Sequence, residues 1–424
     1  MKNKFKGYFP SYKEIIKAKN ILKDIIYETP LQKNYILSEK YKANIFLKRE
    51  DLQIIRSYKI RGAYNKIKSL SHTEPEQLKK GIICASAGNH AQGVAYSCSI
   101  LKIQGKIYMP STTPKQKVER VKMFGKEYVE IILIGDTFDA VSYEAMKDCK
   151  KNEKIFIHPF DDIKIIEGQA TVGLEILQQS ISDIDYVFIP VGGGGLASGV
   201  SSHFKEFSPK TKIIGVEPQG APSMSYSLKK GKIVELKTIN RFIDGASVKK
   251  VGELNFNICN QTLFEIITVP EGKVCTTILD LYNLEAIVAE PAGALSIAAL
   301  DFYSDKIKGK TIVCILSGGN NDITRTEEIR ERSLLYEEKK HYFIVKFPQR
   351  AGALKEFVNN ILGTKDDITY FEYSKKTSKE EGPAVIGIEL ADKNEFSGLL
   401  GRMKKYKVHF QYLNKNPDLF RVLI

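Results

Sequence analysis

Four short stretches of this chain carry residue types that could act together on one small molecule. The first, SYKIRGA at positions 57–63, sets Lys59 ahead of a helical pattern of Ala63, Ile67 and Leu70, with Ser57 spaced as the helix N-cap. A lysine at a helix start sits by the positive end of the dipole, which opposes its protonation. If burial desolvates it too, its pKa falls and the neutral amine can attack a carbonyl. The ordinary alternative is a solvated surface lysine, one of 64 lysines and arginines, so Lys59 gains meaning only from its company.

That company begins with Gly192, Gly193, Gly194, Gly195 and Leu196, which follow an apolar strand pattern at 186–191 and precede a helical one at 197–204. Consecutive glycines let backbone N–H groups approach an anion closely, and the following helix adds its positive end; a phosphate is the natural guest. Ser86, Ala87, Gly88, Asn89 and His90 likewise stand between a strand and a helix. That helix start could hold a carboxylate through Ser86 and backbone amides, while Asn89 offers a neutral amide to a ring hydroxyl. Ser317, in SGGN, closes the strand pattern at 311–316. Each of the last two motifs, alone, is equally well read as a cap or a turn.

The glycine loop has a rival use. Gly192, Gly194 and Ala197 satisfy G-x-G-x-x-A, and Glu217 ends the next strand, which is the dinucleotide fingerprint of a nicotinamide-dependent dehydrogenase. Against it, at least four strands precede the loop, and the fingerprint leaves Lys59, Asn89 and Ser317 unexplained.

The elements that must carry these residues alternate. Strand patterns at 43–48, 81–85, 106–109, 128–134, 155–158, 186–191, 212–216 and 311–316 are separated mostly by helical stretches, beginning with an apolar helical face over 11–27. Such alternation predicts an α/β protein with a largely parallel sheet, whose ligands collect at the carboxyl ends of strands. The three loop motifs fall at such ends. Near residue 325 the character changes: 326–340 is a charge-dense helical connector, and 341–424 reads strand, helix, strand, strand, helix, strand. That βαββαβ order is the ferredoxin-like arrangement.

With 424 residues, 43% of them hydrophobic, the chain can fill two or three cores. It has no apolar run long enough to span a membrane, and its start lacks a signal-peptide core. The six cysteines are scattered, with no CxxC pair, as suits a reducing cytoplasm. The net charge of +14 is spread along the chain without a nucleic-acid motif, so no polyanionic partner is expected.

KREDLQ (48–53), SYKIRGA, SAGNHAQGVA (86–95), HPFDD (158–162), VGGGGLASG (191–199), GVEPQGAPSM (215–224), AEPAGA (289–294) and LSGGN (316–320) together closely resemble the threonine dehydratases, or threonine ammonia-lyases. These are fold-type II pyridoxal-phosphate enzymes, and the resemblance runs in register over nearly the whole chain. It implies a tryptophan synthase β-like catalytic domain over 1–325, with two open, mostly parallel α/β subdomains, the smaller covering about 55–155. It also implies a single ACT-like regulatory domain over 341–424, as in the shorter biosynthetic form. By resemblance, Lys59 would hold the cofactor as a Schiff base and then remove the Cα proton. Gly192 to Leu196 would bind its phosphate, Asn89 its 3-hydroxyl and Ser317 its pyridine nitrogen, with Tyr58 a further contact. Ser86, Ala87, Gly88 and His90 would meet the substrate. The implied reaction takes L-threonine to 2-oxobutanoate and ammonia, with L-serine to pyruvate as a side activity, opening isoleucine biosynthesis. An isoleucine or valine effector and a homo-oligomer, dimer or tetramer, are implied as well.

The chain also resembles serine racemase. However, Ala87 stands where that enzyme carries a second, reprotonating serine, which favours elimination. A racemase-type divalent cation would need an acidic residue near 223, where this chain has Ser223 beside Glu217. No metal is therefore expected. Ala351 replaces the proline usual after the QR pair of the regulatory domain.

Overall fold

The computed structural model describes residues 7–373 and 380–423. Residues 1–6 of the opening stretch, 374–379 within the ACT-like stretch, and residue 424 lie outside the described residues. The chain divides into two compact units between Asp322 and Ile323.

In the first unit the strands run β1 (Leu31–Lys33), β2 (Asn44–Arg49), β3 (Ile82–Ala85), β4 (Gly105–Met109), β5 (Val129–Leu133), β6 (Ile155–Phe156), β7 (Tyr186–Pro190), β8 (Lys212–Pro218), β9 (Glu265–Val269) and β10 (Thr311–Leu316). They form a six-stranded sheet ordered β1-β2-β10-β7-β8-β9 and a four-stranded sheet ordered β5-β4-β3-β6. Every pairing is parallel except β1 with β2. All residues of β3 and β7 are buried, as expected of strands covered by helices on both faces. The two sheets and their helices are the α/β architecture expected from the alternation. The structure adds two short strands, β1 and β9. It also ends the first helix at Leu22, so Ile25 and Ile26 lie beyond it.

One polar cluster lies deep in this unit. Arg61 is fully buried and donates to both carboxylate oxygens of Glu50 at 2.8 and 2.7 Å, and to Glu175 at 2.5 and 2.8 Å. Lys48, equally buried, donates to Glu175 at 2.6 Å and to the Thr29 carbonyl at 2.6 Å. Two cations and two carboxylates thus neutralise one another out of water, so removing any single member would strand an uncompensated charge. This is the physical content of the KREDLQ block, together with Arg61 two residues past Lys59.

The second unit holds β11 (Lys340–Pro348), β12 (Asp367–Tyr373), β13 (Glu381–Glu389) and β14 (Phe410–Tyr412) in an antiparallel sheet ordered β12-β13-β11-β14. Phe357 and Ile361 of the Ala353–Ile361 helix and Leu399 and Met403 of the Phe396–Lys405 helix pack with Phe343, Val345, Ile386 and Ile388. This is the ferredoxin-like βαββαβ arrangement, preceded by a helix at Thr326–Tyr336 and followed by one at Pro417–Leu423.

Candidate active site

Lys59 is the first residue of a helix, Lys59–Thr73, as its spacing implied, but the N-cap is Tyr58 and not Ser57. Ser57 is instead pinned in a β-bridge to Gly318, and its hydroxyl still accepts the Lys59 backbone N–H at 3.4 Å. The bridge, joined by the Tyr58 N–H on the Ser317 carbonyl at 3.2 Å, ties the lysine helix to the end of β10. Close packing fixes the helix laterally. A Cβ on Gly168 of the Ile163–Gln179 helix would stand 2.6 Å from the Arg61 carbonyl oxygen. The Lys59 amine donates to the Pro159 carbonyl at 3.1 Å. Burial pulls its pKa down to about 8, against the opposing pull of the Glu290 charge.

The HPFDD segment binds this lysine to the glycine turn. His158 Nδ1 accepts the backbone N–H groups of Asp161 and Phe160 at 2.8 and 3.3 Å, curling the segment on itself. Pro159 holds the lysine. The Phe160 ring lies so close to Gly193 that an added Cβ there would stand 2.3 Å from Cγ. Asn255 Nδ2 donates to the carbonyls of Phe160 and Gly193, each at 3.0 Å. Asp161 accepts the Glu253 N–H at 2.9 Å, and Asp162 caps the Ile163–Gln179 helix. Gly194 takes a φ of +97°, which side chains rarely tolerate, and serves as N-cap of the Gly195–Phe207 helix. The helix therefore begins inside the glycine run, leaving the first amides of its opening turn without intrahelical partners.

These pieces surround a cavity of about 470 Å³. Its lining includes Tyr58, Lys59, Ser86, Ala87, Gly88, Asn89, His90, Gly192, Gly193 and Ser317. Gly194, Gly195 and Leu196 stand behind that wall, and the Leu196 side chain is in the core. The Ser317 hydroxyl donates to the Ala292 carbonyl at 3.3 Å. Asn89 starts the Asn89–Leu101 helix, donates from Nδ2 to Glu290 at 2.7 Å, and accepts at Oδ1 from Asn320 Nδ2 at 2.7 Å. His90 meets the Ile157 carbonyl at 3.0 Å; burial first, then the Lys59 charge, lower its pKa to about 3, so its ring is neutral.

Glu290, Asn320, Phe160 and Arg120 also line the cavity, with no role expected of them from the sequence. The first three lie inside the AEPAGA, LSGGN and HPFDD blocks; nothing in the sequence signals Arg120. Burial, with the Asp244 charge, raises Glu290 to about 7, offset by its bonds from Asn89 and the Asn320 N–H and by the Lys117 charge. Glu217 turns inward to accept the Met224 and Ser225 N–H groups at 2.7 and 2.8 Å. Among the described residues no group of three or more His, Cys, Asp or Glu could hold a metal ion.

A neutralisable amine, a glycine turn feeding a helix N-terminus, a serine hydroxyl and an asparagine amide around one cavity are the donor set for an aldehyde-bearing aromatic phosphate. Packing also requires glycine in this wall: a Cβ at Gly193 would overlap Phe160, and one at Gly192 would stand 3.0 Å from the Ala246 backbone, so the cavity meets bare backbone here. Fold and site define a pyridoxal-phosphate dependent enzyme, and the family model of that description matches residues 22–318. A second model, the C-terminal regulatory domain of threonine dehydratase, matches residues 331–423. The chain is 59% identical over 411 residues to the biosynthetic L-threonine dehydratase IlvA of Halalkalibacterium halodurans, covering 97% of this chain and 98% of that protein. It is 56% identical over 412 residues to the protein of that name from Bacillus subtilis, with 97% of each covered. The solved processed form of threonine deaminase isoform 2 from Solanum lycopersicum matches with a TM-score of 0.71 at 40% identity, over 78% of this chain and 96% of that one. The chain belongs to the biosynthetic L-threonine dehydratase family. Membership leaves the nicotinamide dehydrogenase reading without support.

Proposed function

We propose that the cavity deaminates L-threonine to 2-oxobutanoate and ammonia, and L-serine to pyruvate more slowly, as the entry to isoleucine synthesis. The observation that carries this reading is the desolvated Lys59 amine opposite the glycine turn, in a chain 59% identical to a biosynthetic threonine dehydratase. Lys59 would hold pyridoxal phosphate, the Gly192–Gly195 backbone and Leu196 N–H its phosphate, Asn89 its ring oxygen and Ser317 its ring nitrogen, with Tyr58 alongside. When bound, the cofactor supplies a conjugated electron sink for the substrate Cα. Ser86 and the amides of Ala87, Gly88 and Asn89 would orient the substrate carboxylate, with neutral His90 beneath. Lys59 Nζ takes the Cα proton, which a neutral amine with lowered pKa is suited to do. Loss of the β-hydroxyl as water leaves an enamine; its imine tautomer regains one water and releases ammonia. A neutral hydroxyl at Ser317, unlike a carboxylate, would not force the ring nitrogen to stay protonated, so the bound cofactor would supply a weaker electron sink, which suits elimination. Ala87 offers no second proton donor, consistent with elimination in place of racemisation.

The catalytic domain is taken as residues 1–325, the connector as 326–340 and the regulatory domain as 341–424. The last would bind isoleucine or valine and act through different affinities in two states of a homo-oligomer. All six cysteines are buried, which suits work in a reducing cytoplasm. No helix among the described residues is long and apolar enough to cross a membrane. Incubating purified protein and cofactor with threonine and with serine, and assaying both keto acids, tests the activity; no product from either refutes it. An isoleucine titration that moves neither rate nor melting temperature would leave the C-terminal domain a scaffold.

A further inference from the structure

Four side chains on the cavity wall form a hydrogen-bond chain with a fixed direction. An Arg120 guanidinium N–H donates to Asn320 Oδ1. Asn320 Nδ2 donates to the Ile55 carbonyl at 2.8 Å and to Asn89 Oδ1 at 2.7 Å. Asn89 Nδ2 donates to Glu290 Oε1 at 2.7 Å. A guanidinium can only donate and a backbone carbonyl can only accept, so Arg120 and the Ile55 carbonyl orient the Asn320 amide, whose Nδ2 in turn orients Asn89. The chain also alternates between lobes: Arg120 and Asn89 begin or ride helices of the four-stranded sheet, whereas Asn320 and Glu290 follow or precede elements of the six-stranded one.

We propose that Asn320 and Glu290 are positioning residues that lock the Asn89 amide nitrogen toward Glu290, so that the one N–H it has left is offered to the guest and the site selects an ionised ring oxygen. The inference rests on the reading that the cavity takes pyridoxal phosphate. A donor facing an oxyanion makes a charge-assisted bond, about twice as strong as one between neutral partners. A flipped amide would turn its carbonyl oxygen toward both the oxyanion and the Glu290 carboxylate. Glu290 is thereby the end of the chain that keeps Asn89 from turning over.

The test uses the full chain stripped of cofactor and reloaded with pyridoxal phosphate. Two quantities are read at one fixed pH: the dissociation constant, and the share of bound cofactor absorbing as the ionised-ring form. Asn320→Asp is nearly isosteric but can no longer donate to Asn89, and Glu290→Ala removes the acceptor. Both should weaken binding by about tenfold or more and shift the spectrum toward the neutral-ring form. Glu290→Gln retains a carbonyl acceptor and should restore most of the wild-type spectrum. The inference is overturned if Asn320→Asp, with an unchanged melting temperature, binds within about twofold of wild type with the same spectrum. It is equally overturned if Glu290→Ala and Glu290→Gln give identical spectra. Wild-type protein that takes up no cofactor would instead refute the underlying reading, which separates the two failures.

Discussion

Replacing Gly193 by alanine puts a methyl group 2.3 Å from Phe160 Cγ and 2.4 Å from both Cδ atoms. Carbon atoms rest at about 3.5–4.0 Å, so the overlap exceeds about 1 Å and something must move. The Phe160 ring has little freedom. It sits edge-on to His158 with centroids 4.7 Å apart, and its carbonyl is held by Asn255 at 3.0 Å. Its predecessor, Pro159, carries the carbonyl that receives the Lys59 amine. Overpacking of this kind costs about 1–3 kcal/mol, equivalent to roughly 5–150-fold in an equilibrium constant. The cost should divide between the melting transition of the apoprotein and its affinity for pyridoxal phosphate, both measurable on one preparation. Phe160→Ala in the same chain removes the obstacle. The double variant should therefore be better than the sum of the two singles by about 1 kcal/mol or more, since the residues touch. Additivity within about 0.3 kcal/mol would refute the claim that Phe160 shapes the glycine turn.

Lys59→Ala should abolish both the visible absorbance of bound cofactor and keto-acid formation; retention of either contradicts the role given to the amine. Uptake of pyridoxal phosphate by the apoprotein needs a neutral amine, so its rate should rise as pH increases through about 8. A midpoint near the ordinary lysine value of about 10.4 would contradict the desolvation argument. Arg61→Met leaves Glu50 and Glu175 to share Lys48 in a dry interior. It should cost about 3–5 kcal/mol in the urea transition at which cofactor absorbance is lost, and a change below about 1 kcal/mol would show the cluster to be hydrated.

The local motifs were legible because each is a short run of types that only a few jobs require. Four glycines between a strand and a helix, or a strand-terminal serine before two glycines, announce a ligand end of a parallel sheet. The partners of those motifs were not legible. Asn89 meets Glu290 across 201 positions, and it meets Asn320 across 231, a distance over which no periodicity carries. Ser57 has the spacing of a cap, and serine commonly is one, but its pairing with Gly318 sets the helix start past Tyr58. β1, only three residues long, has too little pattern to register, while β9 is an edge strand of mostly half-buried residues. Nothing in the sequence marks the charges of KREDLQ as enclosed, since lysine, arginine and glutamate are seldom fully buried unless paired. Glu50 finds Arg61 close by, but the partner that Lys48 and Arg61 share, Glu175, lies more than a hundred residues downstream.

That separation has a consequence for how the enzyme is made. Glu175 follows Lys48 by 127 positions and Arg61 by 114. At about 5–20 residues added per second, a ribosome leaves the early members waiting roughly 6–25 s for the late one. Until then the nascent segment carries more cation than anion and stays wet, and the reactive amine cannot mature. A fragment released before residue 175 would be a client for chaperones and proteases, never half of a working catalyst.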